Sequence, residues 1–380
     1  MNGYKNVIKN LMFRRKTLIH KRMKLRKYFD ANYNEIVNKS LSEEQKKQID
    51  DFYMANYGRK IPHIFHEVYY SISGSFDVRY FPETLYIPEF ERFMNDKEEF
   101  GSTIENKNFL PLVAKAAGIN VPKTILNNVR NILFDGDYNV LSFEQAAEAL
   151  RSAENGFIIK PAVDTCGGSG IEVFTEPDKL TDEEIRNLLD SYGTDYVIQD
   201  LVKSHESIKK LHPESLQTFR VASYIKDGKV KFFPVIMRTG AGGSKVDNVS
   251  SGGLFIGVRE DGSLTDVGYD YYGKEFDRHP DTGYVFRDYK IPLFPKVYEA
   301  VDRLHRHVPQ LGVVNWDFSL REDGEPVLIE ANCVCGGISD MSQYTSGKGM
   351  FGDDTEEVLK WIHKMESMTY VDRVKAKEYL

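Results

Sequence analysis

The stretch from Gly312 to Asn332, GVVNWDFSLREDGEPVLIEAN, constrains what this chain can fold into more than any other. Two runs alternate apolar and polar residues, Val313 to Leu320 and Val327 to Asn332, and the turn-forming residues Arg321 to Pro326 separate them, which predicts a β-hairpin. Side chains alternate faces along a strand, so a slip of one residue would turn every buried group outward. Setting Leu320 opposite Val327 pairs Phe318 with Ile329 and Trp316 with Ala331 on an apolar face. Asp317 then falls opposite Glu330, and Asn315 opposite Asn332. Two carboxylates directly across a strand pair repel by roughly 0.2–1 kcal/mol, so a cation belongs between them. Magnesium fits, because it takes hard oxygen ligands from one or two carboxylates and completes its shell with substrate phosphate and water. The competing reading is a solvated outer face, on which Asp, Glu and Asn are ordinary. On the repulsion argument, removing the Asp317 charge is expected to reduce turnover with little loss of stability, or even a gain.

A chain of 380 residues with 41% hydrophobic content can bury a sizeable core, and its length is that of two or three structural units. No apolar run reaches the roughly 18 residues needed to cross a bilayer, and no signal peptide with a small-residue cleavage site is found, so a soluble, cytoplasmic protein is expected. Cys166, Cys333 and Cys335 make neither a paired disulfide framework nor a CxxC metal pattern, which agrees with a reducing compartment. The net charge of −7 hides an asymmetry: residues 1–29 hold ten Lys or Arg and no acid, which leaves 40 basic against 57 acidic residues, or −17, in the remainder. Nucleic acid is therefore excluded as a partner for the body of the protein. The segment from Val7 to Phe29 interleaves apolar side chains with those cations. Two readings stand open for it, a basic helix on an anionic membrane surface at the inner face and a solvated helix packing on its own chain.

Ser42 and Gln45 make a capping-box pattern for a helix reaching Tyr57, with Gly58 as its stop. From Arg59 to Asn95 the sequence is rich in Tyr, Phe and Pro without a long period, which predicts an irregular unit. A helix from about Lys107 to Ala117 stops at Gly118, and Ile119 to Pro122 leads into a short strand. Ser142 and Gln145 cap another helix through about Glu154. Strands follow: Phe157 to Lys160, Gly170 to Phe174, Tyr196 to Leu201, Phe219 to Ile225, Val230 to Arg238 and Leu254 to Val258. A helix from Pro295 to His307 precedes the hairpin, and Asp354 or Thr355 starts a last helix through about Met365.

Several segments carry chemistry. Phe157 to Pro161, then Asp164 to Gly170, then Ile171 to Phe174 read as strand, glycine-rich loop, strand. The loop with Gly167, Gly168, Ser169 and Gly170 can close over an anion and present N–H groups to it, while Lys160 supplies a point charge for phosphate. Neither GxxxxGK[ST] nor GxGxxG is present, so this is not a Walker or dinucleotide-binding loop. The strand ending Gln199, Asp200, Leu201, Val202 is placed to offer backbone groups to an adenine edge. Arg220 and Arg238 each sit on a strand, where two arginines aimed into a phosphate-bearing cleft neutralise charge in phosphoryl transfer. Alone, each arginine reads equally as a surface ion pair, and the glycine-rich hairpin as a structural turn. The run from Gly240 to Gly253, GAGGSKVDNVSSGG, reads as a mobile loop over the site.

In this order the motifs resemble the ATP-grasp superfamily, and more narrowly its sugar-transfer associated branch. The residues carrying the narrower resemblance are Asn106-Lys107-Asn108, Thr218 with Arg220, Asp247-Asn248 with Gly252-Gly253, Trp316-Asp317 and Glu330-Ala331-Asn332, within residues 60–365. The resemblance implies an α+β, ATP-grasp fold of two α+β subdomains clasping ATP, with an N-terminal helical and irregular extension. The expected division is a basic helical segment at 1–58, an N-terminal and linker region at 59–155, a lid subdomain at 156–205 and a catalytic subdomain at 206–380. It further implies Lys107 and Lys160 on the phosphates and the loop of residues 167–170 closed over them. Gln199 to Val202 would lie at adenine, Thr218 at ribose, and two magnesium ions on Asp317, Glu330 and Asn332, with Arg220, Arg238 and Lys160 as the catalytic cations. The implied activity is a carboxylate–amine ligase in surface polysaccharide biosynthesis: a small-molecule or sugar-linked carboxylate attacks the γ-phosphate, and an amine displaces phosphate from the acyl phosphate. A closed lid would keep that intermediate from water. Two departures stand out. The usual acid of the hinge strand is Gln199, which leaves Glu206 or Gln217 as alternatives to Thr218 at ribose, and Cys333 and Cys335 stand where Pro-Gly is usual. His205 and His212 read as structural. A nucleotide-binding scaffold and a kinase that releases a phosphoester are the other readings.

Overall fold

In the computed structural model of the chain, every residue of Val313–Leu320 is buried. A hairpin with one wet face would expose every second residue, so this strand has neighbours on both edges and cover on both sides. The structure describes residues 36–95, 98–163, 170–244, 246–334, 336, 338–369, 372–373 and 380. The basic segment with its membrane and packing readings, and Cys166, Gly167, Gly168, Ser169 and Cys335, lie outside them. The chain divides into two compact units, one of residues 1–96, 225–234 and 334–380, the other of residues 97–224 and 235–333.

The second unit carries two antiparallel sheets. The first consists of β1 (Thr124–Val129), β2 (Ile132–Phe134), β3 (Phe157–Pro161), β4 (Glu172–Phe174) and β5 (Tyr196–Asp200), in the order β2-β1-β5-β3-β4. Helices Phe143–Arg151 and Asp182–Tyr192 cover one face, and Leu126, Leu150, Phe157, Ile159, Ile185 and Ile198 fill the layer between. Both helices start at capping boxes, Ser142 with Gln145 and Thr181 with Glu184. Only the first of the two helices is expected from the sequence. Ile158 pairs with Gln199, and Lys160 pairs with Val197, which pairs in turn with Asn127, so these five residues share the opposite face.

The second sheet contains β6 (Thr218–Lys226), β7 (Lys229–Phe232), β8 (Val235–Thr239), β9 (Leu254–Val258), β10 (Leu264–Tyr269), β11 (Glu275–Phe276), β12 (Val313–Leu320) and β13 (Pro326–Asn332), of which β7 and the last two residues of β6 are counted with the first unit. Its main order is β11-β10-β9-β8-β6-β12-β13. One strand predicted from Val230 to Arg238 is two, because Pro234 lacks the N–H that would continue the ladder. The hairpin register agrees with expectation on the ligand half, where Asn315 pairs with Asn332, Trp316 with Ala331 and Asp317 with Glu330. Beyond that a bulge intervenes: Phe318 pairs with Leu328 and Leu320 with Pro326, so Ile329 is the extra residue.

The expected helix from Pro295 to His307 is present as Pro295–His307 and pins β12 through a buried polar chain. Trp316 Nε1 donates to Ser223 Oγ at 3.0 Å, and Ser223 Oγ lies 2.7 Å from His305 Nδ1. His305 Nε2 lies 2.9 Å from Leu311 O. A carbonyl only accepts, so Nε2 carries the proton, Nδ1 accepts from Ser223, and each group donates to the next.

In the first unit, helix Glu43–Tyr57 has the expected capping box and ends at Gly58, with φ 77°. The segment read as irregular contains the helix Ile64–Ser73. There Tyr69 Oη donates to Asp340 Oδ1 at 2.6 Å, and Phe81, Phe90 and Phe233 surround Phe351 at centroid separations of 4.8, 4.7 and 5.0 Å. The last helix runs Thr355–Ser367, close to expectation. Among the described residues no helix is long and apolar enough to cross a membrane.

The buried chain beneath β12 predicts two outcomes. Ser223→Ala leaves Trp316 Nε1 and His305 Nδ1 without their partner and should lower stability by about 1–3 kcal/mol in urea unfolding. Burial, against the pull of Leu311 O, lowers His305 from its ordinary value to about 4. The unfolded state then binds the extra proton, so His305 contributes a loss of stability as pH falls from about 6.5 towards 4, a contribution that His305→Gln should remove.

Candidate active site

The strand pairing dictates the centre of the site. Asp317 on β12 lies directly opposite Arg220 on β6 and directly opposite Glu330 on β13. Arg220 grips Asp317 with both arms, Nε to Oδ1 at 2.8 Å and Nη2 to Oδ2 at 2.8 Å. Arg238 stands across from Thr218 in the β6–β8 pairing and reaches Asp317 Oδ2 with Nη2 at 3.0 Å. Asn332 Nδ2 completes the set at 3.4 Å from the same oxygen. Asp317 is 3% exposed, so the solvated-face reading fails. The cation demanded by the carboxylate pair is present in the chain itself.

Burial pushes the Asp317 carboxyl up, but Arg220 and then Arg238 outweigh it and bring it down to about 2. Burial likewise works against the Arg220 cation, and Asp317 more than restores it, to above its ordinary value. A third acid, Asp247, enters from the glycine-rich loop. Thr218 Oγ1 donates to Asp247 Oδ2 and accepts from Arg238 Nε and Nη2 at 3.1 and 2.8 Å. Arg238 Nε stands 3.7 Å from the same carboxylate oxygen. Burial raises the Asp247 carboxyl against the opposing pull of Arg238 and Thr218. Gly253 lets the loop close at this point: a Cβ there would lie 2.8 Å from both Asp247 O and Thr239 O. Asp247 is not among the site residues expected from the sequence, although Asp247-Asn248 is among the residues that carry the family resemblance.

On the first sheet Lys160 is 5% exposed, with no hydrogen bond or ion pair among the described residues. Burial, and after it the like charge of Lys107, lowers Lys160 to about 8 against an opposing pull from Glu330. Lys107 is also buried, and its backbone N–H donates to Ala162 O at 2.9 Å, just beyond β3. Gly170, with φ 71°, accepts from Tyr192 Oη at 2.8 Å. Gln199 shares the Lys160 face; its amide nitrogen reaches Pro122 O at 3.5 Å and its buried Oε1 has no hydrogen-bond partner among the described residues. The N–H groups of Asp200 and Leu201 donate to Lys123 O and Gly156 O at 2.9 and 3.2 Å, which leaves Val202 next in line for a ligand. Gln217 binds within its own turn through Nε2, to Ser215 O at 2.6 Å, and Glu206 is exposed beside Lys209.

The oxygen set of Asp317, Glu330 and Asn332 fits a magnesium ion, which takes few carboxylates and leaves positions for phosphate. Among the described residues no three His, Cys, Asp or Glu gather around one point, so the set is two carboxylates and one amide. Asn332 directs Nδ2 at Asp317 and keeps Oδ1 as the remaining donor atom.

The sequence profile of the family described as sugar-transfer associated ATP-grasp matches residues 87–357. No curated protein sequence matches the chain. Among solved structures, the chain is similar to an N5-carboxyaminoimidazole ribonucleotide synthetase bound to ADP, at 15% identity and a TM-score of 0.38 over 64% of this chain and 50% of that one. It is similar to the D-alanine–D-alanine ligase of Bacillus anthracis at 16% identity and a TM-score of 0.39, over 70% of each chain. It is also similar to the VanG D-Ala:D-Ser ligase of Enterococcus faecalis, at 14% identity and a TM-score of 0.43 over 69% of this chain and 62% of that one. The chain thus spans about half the length of the first of these.

The two arginines reverse the stability expectation for Asp317→Asn. Removing the anion strands the largely buried Arg220 guanidinium, while Arg238 keeps only Asp247, so the substitution should lower unfolding stability by about 3–5 kcal/mol. The Asp317 carboxyl is depressed in the folded state, so its stabilisation is present above about pH 4 and lost as pH falls through about 2. Acid titration followed by circular dichroism should show that step in the parent protein and lack it in Asp317→Asn. For Lys160, whose folded value near 8 lies below the ordinary 10.5, the charged form is held against burial. If the site takes a phosphate anion, affinity should be level below pH 7 and weaken towards tenfold per pH unit above about 8, and Lys160→Met should flatten the profile. Calorimetry with ADP across pH 6–9.5 checks this.

Proposed function

The chain belongs to the sugar-transfer associated ATP-grasp family, and on that premise we propose that it is an ATP- and Mg²⁺-dependent carboxylate–amine ligase working through an acyl phosphate. The observation that carries the reading is the cluster of Asp317, Arg220 and Arg238, with Glu330 and Asn332 on the adjoining strand. A buried lysine in the same unit, whose side chain has no hydrogen-bond or ion-pair partner among the described residues, supports it further, because a desolvated cation is strongest towards an incoming phosphate.

In this reading Asp317, Glu330 and Asn332 hold the divalent ions, which when bound neutralise phosphate oxygens. Lys160 and Lys107 hold the phosphates, with Gly170 and its loop over them, and adenine lies against Gln199 and Val202. The substrate carboxylate oxygen attacks the γ-phosphorus; a C–O–P linkage forms, the bond from the γ-phosphorus to the bridging oxygen breaks, and ADP leaves. Arg220 and Arg238 stabilise the charge on the transferring phosphoryl group. The amine lone pair then attacks the acyl carbon, the C–O bond to phosphate breaks, and inorganic phosphate and a proton leave with an amide formed. The coupling is chemically necessary, since a carboxylate is a poor electrophile until it carries a leaving group. The words sugar-transfer associated in the family description favour a sugar-linked carboxylate, and on that basis we extend the reading to an amine such as an amino acid and to the making of a surface polysaccharide.

Incubation with ATP, Mg²⁺ and pooled uronic acids, amino acids and amines should release ADP and phosphate together with a new amide. AMP with pyrophosphate would sink the acyl phosphate, and a stable phosphoester formed without amine would make the protein a kinase. Lys160→Met should lower kcat at least 100-fold, as expected when electrostatic stabilisation of a transferring group is lost.

A further inference from the structure

We infer that Asp247 is a positioning residue that takes over Arg238 when a divalent cation takes Asp317. The inference rests on the metal-ligand reading of Asp317 above.

A carboxylate offers about four lone-pair directions. Asp317 receives four donors: Nε and Nη2 of Arg220, Nη2 of Arg238 and Nδ2 of Asn332. A cation can approach these oxygens only if a donor leaves. Arg220 is the firmer of the two arginines, a two-armed grip directly across a strand pair. Arg238 touches Asp317 through one nitrogen, and its guanidinium already bridges to a second acid. Its Nε edge stands 3.7 Å from Asp247 Oδ2, and both Nε and Nη2 rest on Thr218 Oγ1, which itself donates to Asp247. Closing that 3.7 Å ion pair to hydrogen-bond distance is a shift of about 1 Å.

Without Asp247 the displaced guanidinium would be a buried cation without a counter-ion, so entry of the metal would be opposed. With Asp247 the exchange keeps every charge paired: Arg238 passes from one carboxylate to the other as the metal arrives. The loop geometry serves this end, since Asn248 O accepts from Ser251 and Gly253 N–H at 3.0 and 3.1 Å and fixes the turn that follows the acid.

The test is a double-mutant cycle on Mn²⁺ affinity, measured by electron paramagnetic resonance on the full chain with and without a non-hydrolysable ATP analogue. Arg238→Met should tighten Mn²⁺ binding in the absence of nucleotide. Asp247→Asn should weaken it about tenfold in the parent background and less than twofold in Arg238→Met, a coupling in the range for contacting groups. Equal weakening in both backgrounds would mean that Asp247 acts only as a nearby anion, and would overturn the inference. Should Asp247→Asn fail to fold, Asp247→Glu replaces it: it keeps the charge and is expected to stay within threefold of the parent, and a tenfold loss would likewise overturn the inference. Absence of Mn²⁺ binding to the parent protein, with or without the analogue, would instead remove the ligase reading itself.

Discussion

The two-armed contact between Arg220 and Asp317 is the interaction on which the rest of the site depends. It is a contact between directly paired residues of neighbouring strands, so its geometry is fixed by the β6–β12 register rather than by side-chain choice. A one-residue slip would carry Asp317 to the opposite face, opposite a different partner, and leave two buried charges alone. The buried chain from Trp316 through Ser223 and His305 to Leu311 O protects that register, since Trp316 precedes Asp317 and Ser223 lies on β6. Core and site are therefore one construction: the residues that lock the strand are sequence neighbours of the residues that carry charge.

The sequence made legible whatever follows from periodicity and from caps with an apolar stripe behind them. The hairpin pairs from Asn315 with Asn332 to Asp317 with Glu330 come from alternation alone, because a polar ligand face against an apolar face admits one register. The bulge at Ile329 does not, since an apolar residue satisfies either face. The helix Ile64–Ser73 does carry a stripe, Phe65, Val68, Tyr69 and Ile72, but it has no side-chain cap, and the apolar Ile64 and Tyr70 on its half-buried face blur the period. The helix Asp182–Tyr192 is different: Thr181 and Glu184 do spell a capping box, but three acids in the first turn mask the short apolar pattern of Ile185, Leu188 and Leu189.

At the site, residues on strands had a role legible from alternation, whereas the loop-borne Asp247 was marked by the family resemblance without one. Arg220, Arg238, Asp317 and Glu330 have a face that alternation assigns. Asp247 sits in a loop without a period, and its place beside Thr218 and Arg238 depends on a backbone path that only glycine at 253 permits. The identity of the cation between carboxylates was also beyond sequence: repulsion across a strand pair calls for positive charge and does not say whether a metal or an arginine supplies it.

The two sheets of this unit solve the same electrostatic problem in opposite ways. On the second sheet, Asp317 and Asp247 balance Arg220 and Arg238, so burial is compensated internally and the cluster is stable before any ligand arrives. On the first, Lys160 has burial and the like charge of Lys107 against it, with Glu330 in its favour, and its proton is held weakly. A protein selected for stability alone would not keep a desolvated cation beside a second one. The charge on Lys160 is intelligible if its counter-ion comes from outside, and an anion of several charges, such as a nucleotide's phosphates, would supply one. Its binding energy would be greatest where the unliganded fold is least satisfied, which is the face of β3 that carries Lys160.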